Sequence, residues 1–228
     1  MRISLHTKFT LSIGLIIMVL LGLFTVSFMY VSTSSSAHQL LRSATLLEQP
    51  RALTSFTLVD HHNKPFTQFD LQGKWHLLAY GFLNCADICP TTLILLNQLQ
   101  LRLQADNKYQ DIHLLFYSID PERDTVDKLA EYVPFFGPNI IGLKPAESEL
   151  VNGASKRFEQ ELGIRVRIEI TEGDKDAYKV SHGVAIYLID PQGRLHAVFK
   201  PSVDPFGINH FNHEDLYHDY VLIRKLAY

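Results

Sequence analysis

The chain has 228 residues, a formal net charge of −3 and 46% hydrophobic residues, which suits one domain with a real core plus an appendage. That charge balance, with no basic patch interleaved with aromatics, excludes nucleic acid as an expected partner. Eleven histidines leave room for a metal site, and the two cysteines, Cys85 and Cys89, permit a single disulfide within the chain.

The appendage comes first in the chain. No charged residue occurs from Phe9 to Ala37, and Leu11 to Val31 is almost wholly apolar. Those 21 residues, rising about 1.5 Å each, span roughly the 30 Å of a bilayer core. Ser35-Ser36-Ala37 resembles a cleavage site, but a cleaved signal has an apolar region of only about 7–15 residues, so the length favours a retained anchor. Arg2 and Lys8 precede the span and the next cation is Arg42, which predicts a cytoplasmic N-terminus and an exported remainder. The expected layout is a cytoplasmic segment at 1–10, a single transmembrane anchor at 11–31, a polar stalk at 32–50 and a domain at 51–228. The expected location is the bacterial inner membrane, with the domain facing the periplasm or exterior.

Within the domain, Ser55 to Asp60 and Pro65 to Asp70 alternate around His61-His62-Asn63-Lys64, which predicts a hairpin. Trp75 to Phe82 is a buried-strand run that leads directly into the cysteines. Thr91 to Leu103 has apolar residues at helical spacing, with Pro90 suited to the first turn. A strand at Ile112 to Ile119 follows, then a turn from Asp120 to Thr125 and a helix from Val126 to Phe136. A short strand at Ile140 to Leu143, a helix from Glu147 to Leu162 closed by Gly163, and a strand at Arg165 to Ile170 come next. Gly183 to Asp190 and Leu195 to Lys200 are expected strands joined by Pro191-Gln192-Gly193-Arg194, and a helix runs from His213 to Tyr228. Strands alternating with helices and ending in a hairpin argue an α/β fold, a mixed sheet sandwiched by helices.

Cys85 and Cys89 are four apart, so on a helix they would share one face and both sulfurs could converge on a soft metal ion or on each other. In an exported domain a close thiol pair is oxidised unless something reduces it or a metal protects it. A purely structural disulfide closing so short a loop would give little stabilisation. The pair is therefore expected to do chemistry. Pro90 at a helix start would set Cys89, and by extension Cys85, near the positive end of the helix dipole, which favours thiolate. On these grounds alone His182 is one loop histidine among many, Asp87 a solvated first-turn acid, and Asp120, Arg123, Asp124 and Thr125 a turn with local ion pairing and a helix cap.

Three segments carry a resemblance. Gly81-Phe82, Cys85, Asp87 and Cys89-Pro90-Thr91-Thr92 resemble the copper-site motif of the Sco/SenC family. Ser118-Ile119-Asp120-Pro121-Glu122-Arg123-Asp124-Thr125 resembles that family's second motif, and Val180-Ser181-His182 ahead of Ala185 to Asp190 its third. The likeness runs from about Ser55 to Lys200 and implies a thioredoxin-like fold. It further implies an anchored, exported protein that binds copper and assists maturation of the dinuclear copper centre of cytochrome c oxidase. Carried over, Cys85 and Cys89 match the two thiolate ligands, which also form the redox pair, and His182 the imidazole ligand. Ser181 stands where the family commonly has Asp before the ligand His.

Two thiolates and an imidazole suit Cu(I) and can leave one side open for handing the metal on; zinc would call for a fourth ligand or a water. The expected function is thus a copper chaperone, with the copper-receiving oxidase subunit or another copper or thiol protein as partner. The alternatives are a thiol–disulfide oxidoreductase that reduces a partner's cysteines and a copper or redox sensor. Cys-x-x-Cys is the commoner spacing in such oxidoreductases, and Gly183-Val184-Ala185 carries no proline, so the residues favour copper over an enzyme. His210, His213 and His218 read as exposed helix-start residues, with a secondary copper or zinc site as the lesser reading.

Overall fold

A computed structural model of the chain describes residues 14–27, 40–147, 154–170 and 178–227. The chain divides into two compact units, Met1–Leu41 and Arg42–Tyr228. In the first, residues 14–27 form an exposed helix. Among the described residues no helix is long and apolar enough to cross a membrane. The expected span at 11–31 extends past this helix on both sides, and 11–13 and 28–31 lie outside the described residues.

In chain order the second unit contains β1 (Ala44–Ala52), β2 (Thr57–Asp60), β3 (Pro65–Thr67), β4 (Trp75–Gly81), α1 (Ile88–Ala105), β5 (Ile112–Ser118) and α2 (Val126–Tyr132). A 3-10 turn at Val133–Phe135 follows, then β6 (Ile140–Pro145), α3 (Ala154–Leu162), β7 (Val166–Ile170), β8 (Tyr178–His182), β9 (Ile186–Ile189), β10 (Arg194–Phe199), β11 (Ser202–Val203), β12 (Asn209–His210) and α4 (His213–Leu226). Eight strands form one mixed sheet in the order β1-β10-β9-β4-β5-β6-β2-β3. β4, β5 and β6 run parallel, and β9 is antiparallel to both β4 and β10. This is the thioredoxin-like, mixed α/β arrangement expected.

β4 is buried at every position, which is why its sequence reads as a continuous apolar run rather than an alternating one. Leu78 and Tyr80 of β4, with Leu115 and Tyr117 of β5, face a core that includes Phe158 and Leu162 of α3. The alternate residues turn to the other face, where α1 packs on β4 and β5 and against α4. α1 buries Leu93, Leu96, Leu99 and Leu103, a stripe at helical spacing that matches its expected apolar face. Asn212 caps α4 by accepting from Glu214 and Asp215 N–H at 2.9 and 3.1 Å. Thr125 caps α2 by accepting from Lys128 N–H at 3.3 Å. Gly163, at φ +79°, ends α3 as expected; of the helix predicted from Glu147, residues 148–153 lie outside the described residues.

Two expectations shift. Residues placed in the stalk, Ala44 to Pro50, belong to β1, an edge strand paired with β10. Their polarity reflects an edge exposed along one side, and Pro50 falls where the register with β10 slips between Leu46 and Arg51. Val180-Ser181-His182 forms strand β8, paired with β7, where a loop was read. Only Val180 of β8 is buried, so the alternation is too short to see.

The start of the second unit is held by Asp219 of α4. Its fully buried carboxylate accepts from the N–H groups of Arg42 (3.0 Å), Ser43 (2.7 Å) and Ala44 (2.8 Å) and from Ser43 Oγ (3.1 Å). Burial opposes its ionisation, but His218 and these backbone N–H groups outweigh it and hold the pKa below the ordinary 3.8. A pKa depressed on folding contributes stability that is fully present above the unfolded value and lost as pH falls through the folded one. Asp219→Ala is expected to cost about 3 kcal/mol near neutral pH, because charge-assisted bonds go and buried donors lose their acceptor. The gap between wild type and variant in urea titrations should shrink below about pH 4; a gap independent of pH would show that the carboxylate charge is not what holds β1.

Candidate metal centre

The topology gathers three segments at one edge of the sheet. β4 and β5 run parallel and end together, with Gly81 opposite Ser118, so the cysteine loop and the Asp120 turn emerge side by side. β9 runs the other way, and its first residue, Ile186, pairs with Ala79 near the end of β4, so the residues before it arrive at the same edge. His182 is among them.

The cysteines are not two residues of one helical face. α1 begins at Ile88, so Cys89 sits in its first turn, while Cys85 lies in the preceding loop, where its N–H donates to the Phe82 carbonyl at 3.1 Å. Cys89 is buried at 4% exposure and Cys85 is half-buried; neither is in a disulfide. Cys89, His182 and the backbone N–H groups of Asp87 and Cys89 all act on the Cys85 sulfur and favour its thiolate. Those two N–H groups belong to the helix start, which has no intrahelical acceptor for them. The Cys89 hydrogen bond above all, working against burial and helped by His182 and the two N–H groups, holds Cys85 far below an ordinary thiol. Cys89 moves the other way, raised by donating to Cys85 and by its own burial. The helix start thus favours a thiolate at Cys85, whereas the sequence placed Cys89 nearest the dipole. The interaction between the two thiols, with the deeper burial of Cys89, decides between them.

His182, partly buried, lies between two aromatic rings, 5.5 Å from Tyr80 and 5.7 Å edge-on to Phe82 between centroids. Its Nδ1 donates to the Gly183 carbonyl, which leaves Nε2 as the ring nitrogen available to the sulfur or to a metal. Ser181, exposed, is not the orienting group; a backbone carbonyl takes the place that a carboxylate would otherwise fill. The Tyr132 hydroxyl is buried nearby with no hydrogen-bond partner among the described residues, and burial first, then the charges of Cys89 and Cys85, raise its pKa.

The Asp120 turn does more than the local pairing expected of it. Asp124 Oδ2 accepts from Ser118 Oγ at 2.6 Å and from Leu83 N–H at 3.1 Å, which ties the cysteine loop to the end of β5. Asp120 pairs with Arg123 at 2.5 Å and accepts from the Tyr178 hydroxyl. Arg123 also donates to the Tyr178 carbonyl at 3.1 Å and lies 3.9 Å above its ring. Tyr178 opens β8, the strand that ends at His182. One turn therefore positions both the cysteine loop and the histidine strand. No local pattern announces contacts 41 and 55 residues apart in sequence.

Gly81 completes the pocket. A Cβ there would lie 2.3 Å from Cys89 Sγ and 3.5 Å from Phe116, so only glycine lets the sulfur lie against β4. Gly81→Ala is expected to fold and to weaken Cu(I) binding by about 10–100-fold, the range seen when ligand positioning is lost. Competition against a Cu(I) chelator would measure it, and wild-type affinity would show that this contact does not set the sulfur.

The three C-terminal histidines have separate neighbours. His210 is exposed on β12, His213 Nδ1 is 3.6 Å from Glu214, and His218 Nδ1 is 3.0 Å from Asp219. Among the described residues no three or more His, Cys, Asp or Glu side chains stand preassembled as a metal cluster. Cys85, Cys89 and His182 come to one edge of the sheet and would have to close around an ion. Their donor set, two sulfurs and an imidazole nitrogen, fits soft Cu(I).

Comparison with known proteins follows the same residues. The SCO1/SenC family model matches residues 44–209. The chain is 37% identical over 164 residues to the "Putative copper-binding protein" of Stutzerimonas stutzeri, covering 72% of this chain and 76% of that one. It is 37% identical over 141 residues to the mitochondrial SCO2 homolog of Mus musculus, covering 60% of this chain and 52% of that protein, about half its length. Among solved structures, Arabidopsis thaliana ScoI with copper bound matches with a TM-score of 0.61 at 29% identity, covering 76% of this chain and 98% of that one.

Proposed function

The chain belongs to the SCO1/SenC family, and from that premise we propose that it is a copper chaperone that binds Cu(I) through Cys85, Cys89 and His182 and assists maturation of the dinuclear copper centre of cytochrome c oxidase. The observation that carries this reading is the arrival of the cysteine loop after β4 and of the residues before β9, His182 among them, at one edge of the sheet, where Cys89 and His182 both favour the Cys85 thiolate. Binding would displace the Cys89 proton and leave two thiolates and one imidazole on the ion, with a side open toward a partner. Transfer is a ligand exchange. Partner ligands bond to copper as the copper–Cys85, copper–Cys89 and copper–His182 bonds break in turn; Cys85 is left as a thiolate stabilised by the helix-start N–H groups, and Cys89 regains a proton. X-ray absorption of the Cu(I)-loaded protein should show sulfur and imidazole around the metal; copper without sulfur neighbours would overturn the reading.

A second reading is favoured by one specific feature. A half-buried, acidified Cys85 beside a buried Cys89 is also the arrangement of a nucleophile and a resolving thiol in a thiol–disulfide reductase. The anchor belongs to either role. Residues 11–31 hold the protein in the inner membrane, with the N-terminus in the cytoplasm and the domain outside. An alkaline phosphatase fused after Tyr228 should be active; an inactive fusion that still accumulates would reverse the orientation.

A further inference from the structure

We propose that the β11–β12 ribbon is the docking element for the protein that receives copper from Cys85 and Cys89, and that it engages an apolar surface of that partner. The proposal rests on the copper-transfer reading above. β11 and β12 pair through Ser202 with His210 and Val203 with Asn209. The turn between them is built, not slack. Asp204 Oδ1 accepts from Phe206 and Ile208 N–H, each at 2.8 Å, and Asp204 N–H donates to the Ile208 carbonyl at 3.0 Å. Gly207 supplies the φ of +82° that the turn needs.

What this turn presents is apolar. Phe206 is 88% exposed, Val203 63% and Ile208 51%. A polar turn would close the ribbon equally well, so the turn itself does not require three neighbouring apolar side chains in contact with water. The ribbon also adjoins the thiols. Ile208, His210 and Phe211 form one wall of a cleft of about 170 Å³, and Asp87, Ile88 and Thr91 form the other. Asp87 and Ile88 are the two residues before Cys89, so the cleft reaches the cysteine loop itself. Cys89 is 4% exposed, and a partner must approach over the loop that carries Cys85. The opening at one half-buried sulfur is far smaller than the roughly 800 Å² per partner of a specific interface. The adjoining apolar ribbon supplies the missing area, and a copper-receiving protein is the occupant whose chemistry brings it to this loop.

The test compares full-length wild type with V203S/F206S/I208S, and with F206S alone should the triple variant not fold. The probe is the reduced, copper-free soluble domain of the oxidase subunit that holds the dinuclear centre, from the same organism. Cu(I) affinity should be unchanged in the variants, while the second-order rate of copper transfer falls at least tenfold with the same end point. Transfer at the wild-type rate overturns the docking role and leaves the copper reading intact. Wild type that binds copper and never passes it to the probe overturns delivery, and docking with it. Variants reconstituted in vesicles of phosphatidylethanolamine and phosphatidylglycerol that keep the wild-type transfer rate, with a ribbon less protected from proteolysis than in wild type, assign it to lipid and overturn the proposal.

Discussion

Replacing either Cys85 or Cys89 by serine is expected to abolish tight Cu(I) binding, with affinity falling by more than about 100-fold, since even the partners of metal ligands account for about 10–100-fold. A serine hydroxyl is a hard, neutral donor at pH 7, so the substitution removes both softness and charge from the ligand set. The two variants should differ in a second measurement. Cys85 is held as thiolate first by its hydrogen bond from Cys89, then by His182 and the N–H groups of Asp87 and Cys89. Because its pKa is lowered from the free value of 9.0, alkylation of wild-type Cys85 should begin well below that pH. Cys89→Ala removes the largest contribution and should move the onset upward. Cys85→Ser leaves Cys89 buried against Gly81, where alkylation should be slow at every pH short of unfolding. A serine variant that binds one Cu(I) with wild-type affinity would remove that sulfur from the ligand set.

Much of this arrangement is legible in the amino acids, and the failures have physical causes. β4 and β5 announce themselves because strands buried on both faces become continuous apolar runs, and α1 because its leucines recur at helical spacing. The cysteines, the Asp120 turn and His182 could be named from motif resemblance, and the topology then brings them to one edge. What stayed hidden is long-range. Spacing alone put both cysteines on one helical face, yet Leu83 N–H is claimed by Asp124 from across the sheet edge, and the chain enters α1 only at Ile88. Asp219 is an unremarkable acid in an amphipathic helix until three N–H groups from residues 42–44 turn toward it. The same pairing makes a strand of residues whose polarity suggested a stalk. Ser181, where a carboxylate was expected, shows the converse. The orienting job remains, but the Gly183 carbonyl does it, and a backbone acceptor leaves no signature in a sequence.

Loss of the His182 imidazole is expected to separate the two functional readings. In His182→Ala the hydrogen bond between Cys85 and Cys89 and the N–H groups at the helix start remain, so the dithiol keeps its larger source of acidity. Such a protein can still act as a reductant. Cys85 thiolate attacks one sulfur of a partner's disulfide and releases the other as a thiolate, after which Cys89 attacks Cys85 and releases the second. The partner gains two electrons, and a Cys85–Cys89 disulfide forms. Copper binding has no such reserve, because two thiolates without the nitrogen lose one of three donors, and affinity should drop by about 100-fold or more. The sulfurs serve metal or disulfide but not both at once, so copper-loaded wild type should resist oxidation and alkylation, and oxidised protein should bind no copper. The decisive comparison is oxidase assembly in copper-limited medium. A carrier predicts that His182→Ala and Cys85→Ser strains both lose assembled oxidase and that added copper restores the first in part. If His182→Ala assembles the enzyme at wild-type levels while Cys85→Ser does not, the thiols act without the metal, and the reductase reading replaces the carrier.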